Sequence, residues 1–235
     1  MPAPLPPLPL LHLAKGFAVI DKPAGLPVEA DSRESVLALL ARQLAPKGGG
    51  RAWPRVVHRL DRDTSGCLLV ALNDAAAKSL LAAFEEGQVR KEYAALVAGE
   101  PPDEGALDTP YGKDPGDGRR YTTRIDTPRR ARLRYAVAER LKGAALLRIW
   151  LETGRTHQIR VQLSDLGHPV IGDGVYGPGT AQLARASGLS RQALHAARLL
   201  FPDPGTAAAQ PEDPSRIECV APLPEDFFRA VEALR

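Results

Sequence analysis

The segment His58-Arg59-Leu60-Asp61-Arg62-Asp63-Thr64-Ser65-Gly66 runs directly into the apolar segment Cys67-Leu68-Leu69-Val70-Ala71-Leu72. The first segment is dense in ionisable side chains and ends in glycine, which is typical of a loop. The second has the length and composition of a short buried strand. The pattern predicts functional groups on a loop that a rigid strand holds in place.

Asp61 is the strongest candidate for chemistry in this loop. A carboxylate can act as a nucleophile or as a base, and a neighbouring cation helps to keep it ionised. The alternative is structural, because aspartates such as Asp61 and Asp63 often brace a turn by accepting hydrogen bonds from the backbone. Spacing alone leaves both interpretations open.

The composition is ordinary for a soluble globular enzyme. Of the 235 residues, 44% are hydrophobic and 25% are charged, and the net charge is +3. No stretch reaches the ~20 apolar residues that a membrane helix needs. Cys67 and Cys219 are expected to be buried or semi-buried thiols in a reducing compartment. We therefore expect a cytoplasmic protein that does not contact a membrane.

The N-terminal segment 1–13 is rich in proline and has neither a basic start nor a long apolar core, so it is not a secretory signal. We expect residues 1–13 to be a flexible lead-in and residues 14–235 to form the catalytic domain.

Periodicity and turn residues predict the order of the elements. Strands are expected near 17–20, 67–72, 93–99, 133–137, 145–151, 199–201 and 217–220. Helices are expected from an Asp31/Glu34 capping box to Leu44, from Asn73 or Asp74 to Glu86, from Thr156 to Gly167, and from Pro224 onward. Residues 101–130 are expected to form a long loop. This irregular order favours an α+β fold with a mixed, mostly antiparallel sheet flanked by helices and loops.

No cofactor or metal site is indicated. The sequence has neither a Gly-x-Gly-x-x-Gly fingerprint after a strand nor a phosphate-binding loop. His157 and His168 lack the spacing of metal ligands and have no neighbouring cysteines. We therefore expect chemistry without a cofactor or a metal.

The segment Leu151-Glu152-Thr153-Gly154-Arg155-Thr156-His157-Gln158-Ile159-Arg160 places basic groups at an element boundary. A strand is expected to end at Gly154 and a helix to begin near Thr156, where backbone N–H groups favour anionic partners. His157 and Arg160 are three residues apart and would share one helix face. The alternative is an amphipathic helix with a solvated basic face.

Basic residues are concentrated between positions 112 and 134. They are Lys113, Arg119, Arg120, Arg124, Arg129, Arg130, Arg132 and Arg134, and three aspartates reduce the local charge to +5. A basic loop with Tyr121 inside it suits contacts to phosphates and stacking on bases. We predict RNA contacts from Arg119, Arg120, Arg124, Arg129 and Arg130, and Arg51 and Arg55 extend this patch. The alternative is a solvated loop.

Several segments together resemble one enzyme family. The 58–66 segment matches the His-Arg-Leu-Asp-x-x-Thr-Ser-Gly signature of the RluA-type RNA pseudouridine synthases at every fixed position. The further blocks are Asp21-Lys22-Pro23-Ala24-Gly25, Lys91-Glu92-Tyr93, Gly154 to Arg160, Gly167-His168-Pro169 with Gly172-Asp173, Leu194-His195-Ala196 and Ala221-Pro222-Leu223-Pro224. Because the blocks occur in the family's order over most of the chain, the chain is identified as a member.

The resemblance implies a pseudouridine synthase fold with a central active-site cleft and assigns roles to four residues. Asp61 corresponds to the catalytic aspartate, and Arg160 to the arginine that pairs with it. Tyr93 corresponds to the aromatic residue that stacks on the target base. Arg59 corresponds to the arginine that fills the gap left when the uridine flips out of the RNA.

The resemblance also implies a substrate class, namely a specific uridine in structured ribosomal or transfer RNA. No obligate protein partner is indicated. Because the segment before Phe17 is too short for the S4-type domain that many family members carry, we expect a stand-alone catalytic domain.

Two rival functions remain at this point. One is a non-catalytic RNA-binding or RNA-folding factor on the same scaffold, which the basic segment would also suit. The other is an unrelated hydrolase that uses Asp61 with His58 or His157. The sequence lacks a nucleophile elbow and metal-ligand spacing, which disfavours the hydrolase.

Overall fold

The computed structural model describes residues 6–29, 34–45, 53–206 and 216–235. The chain forms two compact units. The first comprises Met1–Arg90 with Ala196–Pro222, and the second comprises Lys91–His195 with Leu223–Arg235. No helix within the described ranges is long and apolar enough to span a membrane.

The described residues form twelve strands and five helices. The strands are β1 (Leu10–Leu13), β2 (Phe17–Lys22), β3 (Arg55–Val56), β4 (Ser65–Ala71), β5 (Arg90–Ala98), β6 (Glu104–Pro110), β7 (Gly112–Lys113), β8 (Tyr121–Thr122), β9 (Arg130–Leu141), β10 (Ala144–Leu151), β11 (Leu194–Pro202) and β12 (Arg216–Val220). The helices are α1 (Val36–Gln43), α2 (Asp74–Glu85), α3 (Gln158–Asp165), α4 (Ala181–Ser187) and α5 (Glu225–Leu234).

In the first unit the strand order is β1-β2-β4-β11, with β3 on β4 and β12 on β11. Strand β4 is buried along its whole length, as expected for the apolar segment after residues 58–66, which are called the signature loop below. Helix α2 packs on this sheet through residues of one face, Ala76, Leu80 and Ala83. Its start is set by Asn73, whose side chain accepts a hydrogen bond from the Ala76 amide. The first unit therefore presents the signature loop on a well-packed sheet.

In the second unit the strand order is β5-β10-β9-β6, with antiparallel pairing throughout. Strands β7 and β8 form a separate antiparallel hairpin. Helix α5 buries Phe227, Ala230 and Val231, which follow the spacing of one helix face. The α+β class with a mostly antiparallel sheet is confirmed.

The structure corrects the prediction of a loop over residues 101–130. Strands β6, β7 and β8 occupy much of this range. Strand β6 lies at the end of the strand order, and among the described strands its one neighbour is β9. Because an edge strand tolerates polar residues and a terminal proline such as Pro110, its pattern resembles that of a loop.

Two further boundaries were wrong. Leu10–Leu13 form β1, and Leu8 is buried with its amide donating to Gln43 at 2.7 Å, so the lead-in predicted for residues 1–13 extends too far. An apolar run after the prolines retains the N–H donors that strand pairing needs. Helix α1 is capped by Ser35, whose Oγ accepts from the Ala38 amide at 3.3 Å, and Asp31 of the predicted capping box lies outside the described residues.

Candidate active site

The signature loop ends in three buried residues, Thr64, Ser65 and Gly66, of which Ser65 and Gly66 already belong to β4. Asp61 is half-buried, and Arg59 is exposed. The Thr64 amide donates to the Asp61 carbonyl at 3.2 Å and closes a turn. The buried strand β4 therefore fixes the backbone from the fourth residue after the candidate catalytic aspartate.

Gly66 is required by close packing of the chain. Its φ is +106°, and a Cβ at this position would lie 2.2 Å from the carbonyl oxygen of Ala196. Any side chain would meet the backbone of β11 and would also adopt a strained conformation. The glycine of the signature is therefore explained by the scaffold rather than by chemistry.

A buried lysine supports the loop from β2. The Lys22 side chain is completely buried, and its Nζ donates to the carbonyls of Pro23 at 2.9 Å, Leu26 at 2.7 Å and Arg62 at 2.8 Å. Gly25 and Arg62 exchange two more hydrogen bonds, from the Gly25 amide at 3.0 Å and from the Arg62 Nε at 2.9 Å. These bonds fix the residue that follows the candidate catalytic aspartate.

His58 has a structural role in the loop. Its Nε2 accepts a hydrogen bond from the Leu69 amide in β4 at 2.9 Å, so the neutral ring carries its proton on Nδ1. Its ring also packs 5.0 Å from the ring of Phe84. These contacts argue against the rival hydrolase in which His58 serves as a base.

In the second unit, Arg160 forms a buried bidentate ion pair with Asp173. The Arg160 Nε lies 2.6 Å from Oδ2 and Nη2 lies 2.9 Å from Oδ1, and the two side chains are 8% and 0% exposed. Burial acts to raise the pKa of Asp173, but the hydrogen bonds and charge of Arg160 outweigh it and hold the pKa below its ordinary value. The pairing of Arg160 with Asp61 stays a prediction.

Sequence reasoning did not identify Asp173 as a partner of Arg160. Asp173 lies in a short segment between elements, and its Oδ1 also accepts from the amides of Val175 at 2.9 Å and Tyr176 at 3.0 Å. The Gly172-Asp173 block contained the residue, but neither helical nor strand spacing relates it to α3. Only the folded chain brings the two together.

Tyr176 lies beside this pair and is buried. Its ring centroid is 5.1 Å from Cζ of Arg160 and 5.3 Å from Cζ of Arg120. Its hydroxyl lies 3.0 Å from Nδ1 of His157 and accepts from the Tyr121 amide at 3.0 Å. Burial raises the pKa of Tyr176, so the phenol is neutral at physiological pH. Tyr176 therefore contacts both the first residues of the α3 segment, His157 and Arg160, and the Arg120-Tyr121 segment.

The prediction that His157 and Arg160 share one face of the helix was wrong. His157 is the N-cap residue of α3 and has a left-handed backbone with φ 57°. Its side chain is held instead by the contact with Tyr176. The expected helix beginning near Thr156 starts at Gln158.

Tyr93 is buried in β5, opposite Ile149 of β10. Its stacking role stays a prediction.

Lys91, two residues earlier, was given no role from the sequence, although it belongs to the Lys91-Glu92-Tyr93 block. Burial lowers the pKa of Lys91 to about 8, so this amine titrates close to physiological pH. Its Nζ lies 3.4 Å from where a Cβ of Gly154 would be.

Some cations of the basic segment have acidic partners outside it. Arg130 pairs with Asp108 at 2.8 Å, and Arg132 approaches the same carboxylate at 3.4 Å. Arg124 lies 3.3 Å from Asp165 of α3. Because such partly exposed pairs contribute ~0–1 kcal/mol, they remain available for exchange with phosphate. Because Asp108 and Asp165 lie outside residues 112–134, these ion pairs make the folded surface less positive than the segment's net charge of +5 suggests.

Other cations of the segment are placed differently. Arg119 and Arg129 are exposed, and within the described ranges neither side chain forms an ion pair. Burial and the nearby charge of Arg129 together lower the pKa of Arg155, whose Nε donates to the Arg130 carbonyl at 3.1 Å. Arg51 lies outside the described residues, and Arg55 pairs with Asp74 at 2.5 Å.

In the described part of the chain, no three His, Cys, Asp or Glu side chains are grouped closely enough to hold a metal ion. Both cysteines are buried free thiols, as predicted. Burial, followed by the proximity of Cys219, raises the pKa of Cys67 to about 12.

Comparison with known proteins decides the family. The model of the RNA pseudouridylate synthase family matches residues 16–165, which include the signature loop and Arg160. The chain belongs to this family. It is an isomerase family that acts on RNA, so the predicted enzyme class is confirmed, as is its pseudouridine synthase fold.

Similar proteins agree with this assignment. An RNA pseudouridine synthase of Chloroflexus aurantiacus is 44% identical over 211 residues, which are 88% of this chain and 63% of that protein. The ribosomal large subunit pseudouridine synthase D of Xanthomonas campestris is 37% identical over 240 residues, covering 97% of this chain and 70% of that protein. The structure of human RNA pseudouridylate synthase domain containing 4 superimposes with a TM-score of 0.75 at 26% identity, covering 96% of this chain and 92% of that chain.

Proposed function

We propose that this synthase converts a specific uridine in structured ribosomal or transfer RNA to pseudouridine, with Asp61 as the catalytic group. Arg59, Tyr93 and Arg160 bind the substrate. The observation that carries the proposal is the half-buried carboxylate of Asp61 in the signature loop. The backbone of this loop is fixed by β4 and by the hydrogen bond from the Lys22 Nζ to the Arg62 carbonyl at 2.8 Å. Such a backbone pre-organises a reactive group.

The reaction moves the base without oxidising or reducing it. The bond between C1′ and N1 breaks, the bond between C1′ and C5 forms, the proton on C5 is lost and N1 gains one. Asp61 either attacks C1′, attacks C6 of the base, or removes a sugar proton to give a glycal intermediate. Each route uses a carboxylate as a nucleophile or a base, so the proposed chemistry needs no cofactor.

The uridine must leave its base stack to reach Asp61, at a cost of a few kcal/mol. We propose that Arg59 occupies the vacated position and that Tyr93 stacks on the flipped base. A planar guanidinium can stack as well as pair, and a tyrosine ring offers a face for a base. The exposure of Arg59 and its place two residues before Asp61 support this assignment.

The RNA contacts outside the site are proposed for Arg119, Arg120, Arg124, Arg129 and Arg130. The exposed Arg119 and Arg129 form no ion pair within the described ranges, so they supply the strongest phosphate contacts. We place the reaction in the cytoplasm, which the two free thiols support.

The experiment is to map pseudouridine in transcripts of large-subunit ribosomal RNA and in bulk transfer RNA after incubation with the enzyme. Large-subunit RNA is tested first because the Xanthomonas relative is named for it. We expect modification at a defined uridine that is lost with Arg160→Lys and strongly reduced with Tyr93→Leu. If neither RNA pool is modified, the proposed substrate class is contradicted. If Arg160→Lys has unchanged turnover, the proposed role of Arg160 is contradicted.

A further inference from the structure

Two arginines from different elements lie against the same tyrosine ring. Arg160 in α3 and Arg120, which directly precedes β8, approach the Tyr176 ring centroid at 5.1 Å and 5.3 Å. Both distances are within the range of a cation–π contact. Arg120 belongs to the basic hairpin, residues 112–122, and Arg160 is the proposed substrate-binding arginine. The Tyr176 ring therefore contacts both an arginine of the basic hairpin and the arginine proposed to bind the substrate.

Hydrogen bonds reinforce this connection. The Arg120 guanidinium donates to the Val175 carbonyl, and the Tyr121 amide donates to the Tyr176 hydroxyl at 3.0 Å. The amides of Val175 and Tyr176 donate in turn to Asp173, the carboxylate that holds Arg160. A short chain of contacts within one unit thus runs from the basic hairpin to the Arg160–Asp173 pair.

We propose that Tyr176 is a positioning residue that couples RNA contact at the basic hairpin to the orientation of Arg160. RNA held by the hairpin orders Arg120 and the Tyr121 amide, and both restrain the Tyr176 ring against which Arg160 packs. Arg120 therefore contributes to turnover as well as to affinity. The inference rests on the proposed role of Arg160 in substrate binding.

Arg119 provides a matched control on the same hairpin. It is exposed, and only its backbone amide has a partner within the described ranges, Asp117 at 3.1 Å. Among the described residues the Arg119 side chain forms no hydrogen bond, ion pair or ring contact with Tyr176 or its partners, so an RNA contact through Arg119 should contribute to affinity alone. The two neighbouring arginines therefore separate coupling from simple phosphate binding.

The test measures kcat and KM from tritium release by an RNA transcript that carries uridine labelled at C5. Arg120→Gln should lower kcat about fivefold or more in the wild-type background but less than about twofold in Tyr176→Leu, because the coupling is then already lost. Arg119→Gln should raise KM about equally in both backgrounds. Additive effects of Arg120→Gln and Tyr176→Leu on kcat, or an effect of Arg120→Gln on KM alone, would overturn the coupling.

Arg120→Lys supplies a second test that leaves Tyr176 intact, should Tyr176→Leu fail to fold. Lysine retains the charge but loses the planar group that stacks on the ring. We expect kcat to fall as in Arg120→Gln while KM stays near that of the wild type, and wild-type kcat would overturn the proposal. Arg160→Lys distinguishes a failure of the proposed function from a failure of the coupling. Wild-type kcat in Arg160→Lys would refute the role of Arg160 in substrate binding, whereas additive effects of the Arg120 and Tyr176 substitutions would refute the coupling.

Discussion

The substitution Asp173→Asn probes the buried ion pair that holds Arg160. Asparagine keeps the shape of the side chain but removes its charge. If its Oδ1 keeps the bonds from Val175 and Tyr176, which are 2.9 and 3.0 Å long in the wild type, its amide nitrogen faces the Arg160 Nε as donor against donor. The guanidinium, 8% exposed, is then left without its counter-charge.

Removal of one partner from a buried ion pair costs ~3–5 kcal/mol. For a chain of this size, 1 kcal/mol corresponds to about 2–4 °C in melting temperature, so the expected loss is about 6–20 °C. The assay is urea unfolding and thermal melting followed by circular dichroism. Glu218→Gln is the matched control, because its pair with Arg198 is 44% and 45% exposed and should contribute less than ~1 kcal/mol.

The pH dependence gives the sign of the effect. Because the pKa of folded Asp173 lies below that of an unfolded aspartate, ~3.9, the pair stabilises the fold fully above that value. This stability is lost as the pH falls through the folded pKa. The difference between wild type and Asp173→Asn should therefore shrink below about pH 4. A loss no larger than that of Glu218→Gln at pH 7 would refute the reasoning.

Three further outcomes are expected. Lys22→Met should remove the lysine donor from the carbonyls of Pro23, Leu26 and Arg62, of which the Arg62 carbonyl keeps the Gly25 amide. We expect a loss of a few kcal/mol in stability and a lower kcat, and wild-type kcat would argue against support of the loop by Lys22. Gly66→Ala should lower the free energy of unfolding in urea by several kcal/mol, because its Cβ would lie 2.2 Å from the Ala196 oxygen. The control is Gly87→Ala, whose Cβ would have no atom within 4 Å and which should show only the smaller cost of its positive φ. Cys67, with its pKa near 12, and buried Cys219 should resist iodoacetamide at pH 8 in the folded protein and react in urea, and labelling of the native protein would contradict their burial.

The sequence was most informative where a strong local pattern coincides with burial. The apolar run after the signature became the fully buried β4, and Asn73 caps α2 as one of the two predicted residues. Long apolar periodicity and side-chain capping are local properties, so they are readable before folding.

Polar and long-range features were less predictable. Strand β6 was missed because an edge strand with alternating exposure and a terminal proline resembles a loop. The pairing of Arg160 with Asp173 and of Arg130 with Asp108 joins residues far apart in sequence, and no periodicity relates them. The net charge of a segment therefore overstated the charge of the folded surface.

The most direct test of the central claim is tritium release from ribosomal and transfer RNA labelled at C5 of uridine, comparing wild type with Asp61→Asn. The substitution removes the carboxylate while keeping its size, so the variant should fold and bind RNA. We predict release by the wild type and essentially none by Asp61→Asn. Equal release by both would refute Asp61 as the catalytic group. No release by a folded, RNA-bound wild type would favour the rival RNA-binding factor.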